Sequence, residues 1–152
     1  MKKFLLKTTP ILVAALLITG TMLSAGCDKE KKTNDDITNV KWHLTKFVDM
    51  ENRTEEEPLS NSNDVYWLKL KPSAFEGKSY SNELMGTVSI NAVTKKITFP
   101  NVGGTEICEH FDGQRFINCL YQVHSYDRLS ENTLVLYYDQ KKYLQFEKVN
   151  EP

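Results

Sequence analysis

The sequence predicts an α+β domain in which an antiparallel, partly closed β-barrel-like sheet packs against one helix. Three observations carry that expectation. Most apolar residues beyond position 39 alternate with polar ones in short runs bounded by Pro, Gly, Asn or Asp, the pattern of strands with one buried face. One run, after Asp112, spaces its apolar residues for a helix instead. The stretch able to form a core, residues 40–150 of 152, is close to the usual size of a single domain.

Before that domain the chain reads as a targeting segment. Lys2, Lys3 and Lys7 precede the uncharged apolar run Ile11 to Ile18, and small residues follow up to Cys27, the order of a secretory signal peptide. The apolar run falls short of the roughly 20 residues that a membrane-spanning helix needs. Leu23, Ser24, Ala25, Gly26 and Cys27 resemble the bacterial lipobox, with the leucine one place earlier than in its commonest form. That motif implies cleavage after residue 26 and a diacylglyceryl group on the Cys27 thiol. The alternative is an ordinary secreted protein cut nearby, with Cys27 as half of a disulfide. A lipid on Cys27 makes it an anchor with no catalytic role, since each buried methylene contributes about 0.8 kcal/mol and more than one chain makes the anchoring stable.

Residues 27–39 form the lipidated cysteine and a tether. From Asp28 to Asn39 the sequence DKEKKTNDDITN has seven charged residues and one apolar one, too few to bury, so a solvated spacer is expected. Removal of residues 1–26 takes away three lysines and no acids, which moves the formal charge from −1 to −4. A mildly acidic chain with no concentrated basic face is a poor partner for nucleic acid.

Within residues 40–150, Val40, Trp42 and Leu44 alternate with Lys41, His43 and Thr45 as the first strand. Glu51 to Asp64 is a long polar loop, and Val65 to Lys71 a second strand ended by Pro72. Gly86 to Asn91 and Ile97 to Val102 form a hairpin, in which Val88 opposite Phe99 and Ile90 opposite Ile97 share one face around a four-residue turn, Ala92 to Lys95. The helix is expected over Gly113 to about His124, with Phe116, Leu120 and Val123 facing the core and Gln114, Arg115, Asn118 and Gln122 opposite. Asp112 is its expected cap, and Phe111 with Phe116 its hydrophobic staple. In the closing strands Leu136 should oppose Leu144, Leu134 Phe146, and Tyr137 Tyr143, which requires a three-residue turn or a bulge near Asp139 to Lys141.

Residues 113–147, GQRFINCLYQVHSYDRLSENTLVLYYDQKKYLQFE, resemble the second half of META domains, the family that includes the heat-shock protein HslJ. Phe116, Leu120 and Val123 on the helix, then Ser125-Tyr126, Leu134-x-Leu136 and Leu144-x-Phe146, follow that family's order. Upstream, Trp42 and Leu44 look like its opening strand, and Ile97-Thr98-Phe99 with Thr105 and Cys108 like its threonine-to-cysteine run. The resemblance implies a META-like fold and a role in stress tolerance or envelope upkeep. Two departures remove the family's usual disulfide: Ser81-Asn82 stands where a Gly-Cys-Asn is common, and Thr105 and Cys108 are one residue closer than usual. Cys108 can pair instead with Cys119 at the edge of the helix's apolar face; the alternative is two separate buried thiols.

Little in the sequence suggests chemistry. Glu106, Cys108, Glu109, His110 and Asp112 lie close together but match no recurring metal-ligand spacing. His43 and His124 stand alone and read as solvated or hydrogen-bonded surface residues. Nucleophile elbows, Gly-rich phosphate loops and HExxH are absent from the sequence, so no enzyme, cofactor or metal is expected. Val135, Tyr137 and Tyr143 lie opposite the Leu and Phe face of the last hairpin; they form either a patch for a protein partner or a face covered by a neighbouring element. The expectation is a non-enzymatic binding or accessory lipoprotein of the cell envelope, the outer membrane ahead of the inner, with the membrane and an envelope protein as partners. A lipocalin-like carrier is the alternative, and Trp42, Trp67, Phe99 and Phe146 count against it because they would fill a small barrel. An inhibitor of an external hydrolase such as lysozyme, acting through the loop Glu51 to Asp64, is a third.

Overall fold

Alternating side chains give each strand one apolar face, and the strands bury those faces together by curling into a ring. The computed structural model describes residues 36–150; the segment expected to be a signal peptide, Cys27 and the expected tether up to residue 35 lie outside the described residues. In chain order the elements are β1 (Lys41–Asp49), β2 (Thr54–Glu56), β3 (Trp67–Leu70), β4 (Ala74–Lys78), β5 (Glu83–Asn91), β6 (Lys96–Gly104), α1 (Phe111–Gln122), β7 (Ser125–Arg128), β8 (Thr133–Asp139) and β9 (Lys142–Lys148). They form a nine-stranded antiparallel sheet in the order β2-β1-β3-β4-β5-β6-β7-β8-β9, and β9 pairs back onto β1. β1 can close the ring because one edge serves two short partners, β3 near Trp42 and β2 near Val48, while the other edge takes β9 along most of its length.

Three irregularities let the sheet curl, since a bulge bends its strand and increases the local twist. The β1–β9 register shifts at Thr45, between Leu44 and Lys46. Trp42 and Leu44 point inward before that shift and Phe47 after it, so the alternation changes phase inside one strand. The β5–β6 register shifts between Thr87 and Ser89. Ile90 opposes Ile97 as expected, but Val88 sits in the irregular step and is not paired with Phe99, a correction that also turns Val102 inward. The β8–β9 register shifts at Tyr138; Leu134–Phe146, Leu136–Leu144 and Tyr137–Tyr143 pair as the sequence requires.

Strands β2, β4 and β7 were not visible in the hydropathy pattern. β2 is three exposed residues inside the expected loop. β4, AFEGK, passes so close to its neighbour that a Cβ on Gly77 would lie 2.5 Å from the Trp67 carbonyl oxygen. Gly86 on β5 is confined the same way, by the Asn101 carbonyl and the Phe75 ring. β7 meets β6 only at Lys96 and Ser125, and α1, which packs on β6 and β8, seals the gap that β7 leaves.

The interior of the ring is filled. Trp42, Leu44, Phe47, Phe75, Phe99 and Phe146 are all buried in one cluster with the helix residues Phe116 and Leu120, each contributing about 1.5–3 kcal/mol by leaving water. Trp67 is the exception: opposite His43 on the outer face, it is half-buried beneath the Lys41 ammonium, so it does not fill the ring as expected.

The helix begins two residues earlier than expected. His110 caps it, its Nδ1 accepting from the Asp112 amide at 3.3 Å. Asp112 instead accepts from the Leu59 amide at 3.1 Å, a tertiary contact that outweighs the local cap. Phe111 is 75% exposed, so no staple with Phe116 forms. Arg115 fixes the helix to the β1–β2 hairpin by ion-pairing Glu56 at 2.6 Å and lying over the Phe47 ring at 4.1 Å.

The domain starts before Val40, which shortens the expected tether. Ile37, its single apolar residue, is buried. The Trp42 indole N–H donates to the Ile37 carbonyl at 2.9 Å, and the Asn39 amide to the Leu70 carbonyl at 2.7 Å.

Candidate functional site

The charged run from Glu106 to Asp112 becomes a clamp between the β4–β5 turn and the β6–α1 loop. Ser79 and Asn82 are buried, and their position is set by the tight turn in which Ser79 Oγ accepts from the Asn82 amide at 3.0 Å. Glu109 reaches into this turn. Its carboxylate accepts from Ser79 Oγ, from Asn82 Nδ2 at 2.9 Å and from the Ser81 amide at 3.0 Å. Asn82 Oδ1 accepts in return from Thr105 Oγ1 at 2.9 Å and the Ile107 amide at 2.7 Å. Burial works against the Glu109 charge, but hydrogen bonds from Ser79, Asn82, Ser81 and His110 more than offset it and hold its pKa below the ordinary carboxylate value. Because Ser79 is fully buried and Glu109 is occupied by these donors, the arrangement orders two loops.

His43 is buried, which corrects the expectation of a surface histidine. It lies on the outer face of β1, opposite Trp67 on β3 and Glu147 on β9, and hydrogen-bonds the Ser62 backbone of the overlying loop. Burial lowers its pKa, with the Ser62 bond and Glu147 opposing and the Lys41 charge assisting. A histidine whose folded pKa is depressed costs stability as pH falls below the unfolded value of about 6.5, because the unfolded chain takes up a proton that the folded chain does not. The urea midpoint should therefore drop between pH 7.5 and pH 5.5 in the wild type and drop less in His43→Phe; equal drops would show that His43 is not the group responsible. His124, by contrast, is exposed.

Of the two readings left open for Cys108 and Cys119, the structure has separate thiols: both are free, Cys119 buried as that reading holds and Cys108 exposed against it. Cys119 faces inward from the helix toward Tyr138, whereas Cys108 precedes the helix on an exposed loop. Burial pushes the Cys119 thiol up to about 11, against the nearby Arg115 and Tyr138. In the native protein an alkylating reagent should modify Cys108 and spare Cys119, and denaturation without reductant should expose both; a thiol pair released only by reductant would contradict the structure.

The expected contact patch changes in composition. Val135 is fully buried between Asp127 of β7 and Gln145 of β9, so it is removed from the accessible surface; neighbouring strands cover it. Tyr137 and Tyr143 remain half-buried on the outer wall, with ring centroids 5.4 Å apart and planes at 62°. A separate pocket of about 480 Å3 lies where the chain enters the domain, lined by Asp36, Trp42, Arg128, Leu129 and Lys148 among others. Its Arg128 guanidinium donates to the Asp36 carbonyl at 3.2 Å and lies over the Trp42 ring at 5.7 Å, so it fastens the chain there. Sequence reasoning missed this role, because β7 pairs with β6 and β8 and nothing local to Arg128 points to Trp42 or Asp36. No helix among the described residues is long and apolar enough to cross a membrane.

These features define a mostly antiparallel, ring-like sheet sealed by one helix. No family model matches the chain, and no curated protein does. Solved structures share the fold. A protein from Burkholderia xenovorans determined by NMR has a TM-score of 0.59 and 21% identity, over 75% of this chain and 84% of that one. A DUF4847 family protein from Bacteroides vulgatus, determined by crystallography, has a TM-score of 0.58 and 16% identity, over 79% of this chain and 99% of that one. At these identities the likeness is one of fold alone.

Proposed function

We propose that the protein is a lipid-anchored, non-enzymatic binding or accessory protein of the cell envelope with a META-like domain, held to the membrane through Cys27 and serving stress tolerance or envelope upkeep. The observation that carries this reading is the packed ring: Trp42, Leu44, Phe99 and Phe146 occupy its interior, which favours binding at outer surfaces over a ligand held inside the ring. The lipobox-like run before Cys27 supports the anchor. The helix sealing a sheet whose last hairpin pairs Leu134 with Phe146 and Leu136 with Leu144 is compatible with the META resemblance. On the outer wall, the Tyr137–Tyr143 pair is the partner patch of this reading, since aromatic side chains at a half-exposed position suit a contact surface.

Metabolic labelling with an alkyne fatty acid tests the anchor. The full-length protein should take up label and partition into the detergent phase, and Cys27→Ser should do neither. A soluble, unlabelled wild type would overturn the anchor. Native mass spectrometry tests the other half: a stoichiometric small molecule retained by the purified protein would restore the carrier.

A further inference from the structure

A second surface lies at the end of the ring away from where the chain enters. The chain enters at Asp36, beside Arg128, and Val149 donates back to the Lys41 carbonyl, so both limits of the described chain sit at one end. β1 runs from there to Asp49, and β4 and β6 run the same way to Lys78 and Gly104. The loops 57–66, 79–82 and 105–110 therefore gather at the opposite end.

Those loops and the start of α1 bring together four large apolar side chains in solvent: Leu59, Tyr80, Ile107 and Phe111, exposed by 55, 38, 60 and 75%. Hydrogen bonds hold their backbones in place. The Leu59 amide donates to Asp112, next to Phe111, at 3.1 Å; Asn82 Nδ2 donates to the Ile107 carbonyl at 2.9 Å; the Tyr80 ring lies 5.4 Å from the His110 ring. The Glu109 clamp pins two of the three segments. Apolar side chains grouped in this way are uncommon on a domain that meets only water, and fixing them in advance lowers the ordering cost of binding.

The surroundings are acidic. Glu57, Asp64 and Glu106 are exposed on these same loops and form no ion pair among the described residues; Lys46, paired with Glu55, also acts on Glu57. That charge decides between occupants. A second copy related by a twofold axis would set the same acidic loops against each other. Residues 28–35 of this chain, DKEKKTND, hold no apolar side chain to fill the surface. We propose that this end docks a protein segment that is both basic and apolar. The inference stands whether or not Cys27 carries a lipid.

Site-specific photo-crosslinking of the full-length protein in its own cells tests it, with p-benzoylphenylalanine at residue 107 or 111 and, as control, at the exposed Thr98 of β6. Adducts should form from 107 and 111 and not from 98. The captured segment should carry net positive charge with aliphatic or aromatic residues. Asp64→Lys with Glu106→Lys should cut adduct yield about tenfold at an unchanged melting temperature, with Glu57→Lys as the second variant if that pair melts early. Absence of adduct above the Thr98 background, an adduct to lipid or to a second copy, an acidic captured segment, or a yield indifferent to the reversals would each overturn the proposal.

Discussion

Glu109→Ala should lower the stability of the domain by about 3 kcal/mol, because it leaves buried donors on Ser79 and Asn82 short of a charged acceptor. Glu109→Gln keeps the shape but turns an amide N–H toward Asn82 Nδ2 in one rotamer, so it should fall between wild type and alanine. Urea unfolding at pH 7 measures both, and a change below about 0.5 kcal/mol, the range of ordinary surface substitutions, would mean that the clamp is ornamental. The pH dependence follows from the same contacts. The folded pKa of Glu109 is depressed from 4.5, so its contribution is fully present above that value and is lost as pH falls through the folded pKa. The difference between wild type and Glu109→Gln should therefore narrow in acid. Asp49 also titrates low, held at about 2 by the Asn52 backbone and Lys142, but it is common to both proteins and cancels in the comparison.

Trp42→Ala should cost about 4 kcal/mol, within the usual range for emptying a buried aromatic site and a large share of a typical domain's total stability. Two losses combine: the packing of a fully buried indole and the hydrogen bond that holds Ile37 against the ring. Trp42→Phe separates them. It keeps most of the apolar volume and loses the N–H donor, so it should cost about 1–2 kcal/mol. The alanine variant also bears on function. If the interior is closed by packing, an apolar dye should bind Trp42→Ala and not the wild type; a wild type that binds the dye as well would reopen the carrier reading.

Much of the architecture was legible because it is local. The closing hairpin was readable to the residue, since two alternating runs with aromatic and leucine markers admit one register, and the parity of the connection required the irregularity found at Tyr138. The helix was readable from its apolar stripe, Phe116 and Leu120, which are buried as expected. Its cap was not, because the choice between Asp112 and His110 depends on Leu59, more than fifty residues away in sequence. β2 and β4 were missed for a related reason. Thr54–Glu56 is wholly exposed and Ala74–Lys78 contains a glycine, so neither shows hydropathy alternation; pairing makes them strands, β2 with β1 and β4 with β3 and β5.

The candidate site followed the same division. The charged run before the helix showed no recurring ligand spacing in the sequence, and its Glu109 carboxylate becomes a clamp only because a distant turn presents buried donors to it. Val135, for which a covered face was one of two readings, and His43, read as a surface residue, show the opposite case. Each lies on the face that hydropathy assigns to solvent, yet flanking strands bury one and the 57–66 loop bonds the other. By itself the sequence determined which residues alternate, where the helix runs and how the last two strands pair. Only the tertiary structure decided that β9 returns to β1, that Ile37 belongs to the core, that the cysteines stay apart, and which surfaces remain open. The physical reason is that periodicity records the two faces of an element, whereas burial depends on what a ring closed across a hundred residues brings against each face.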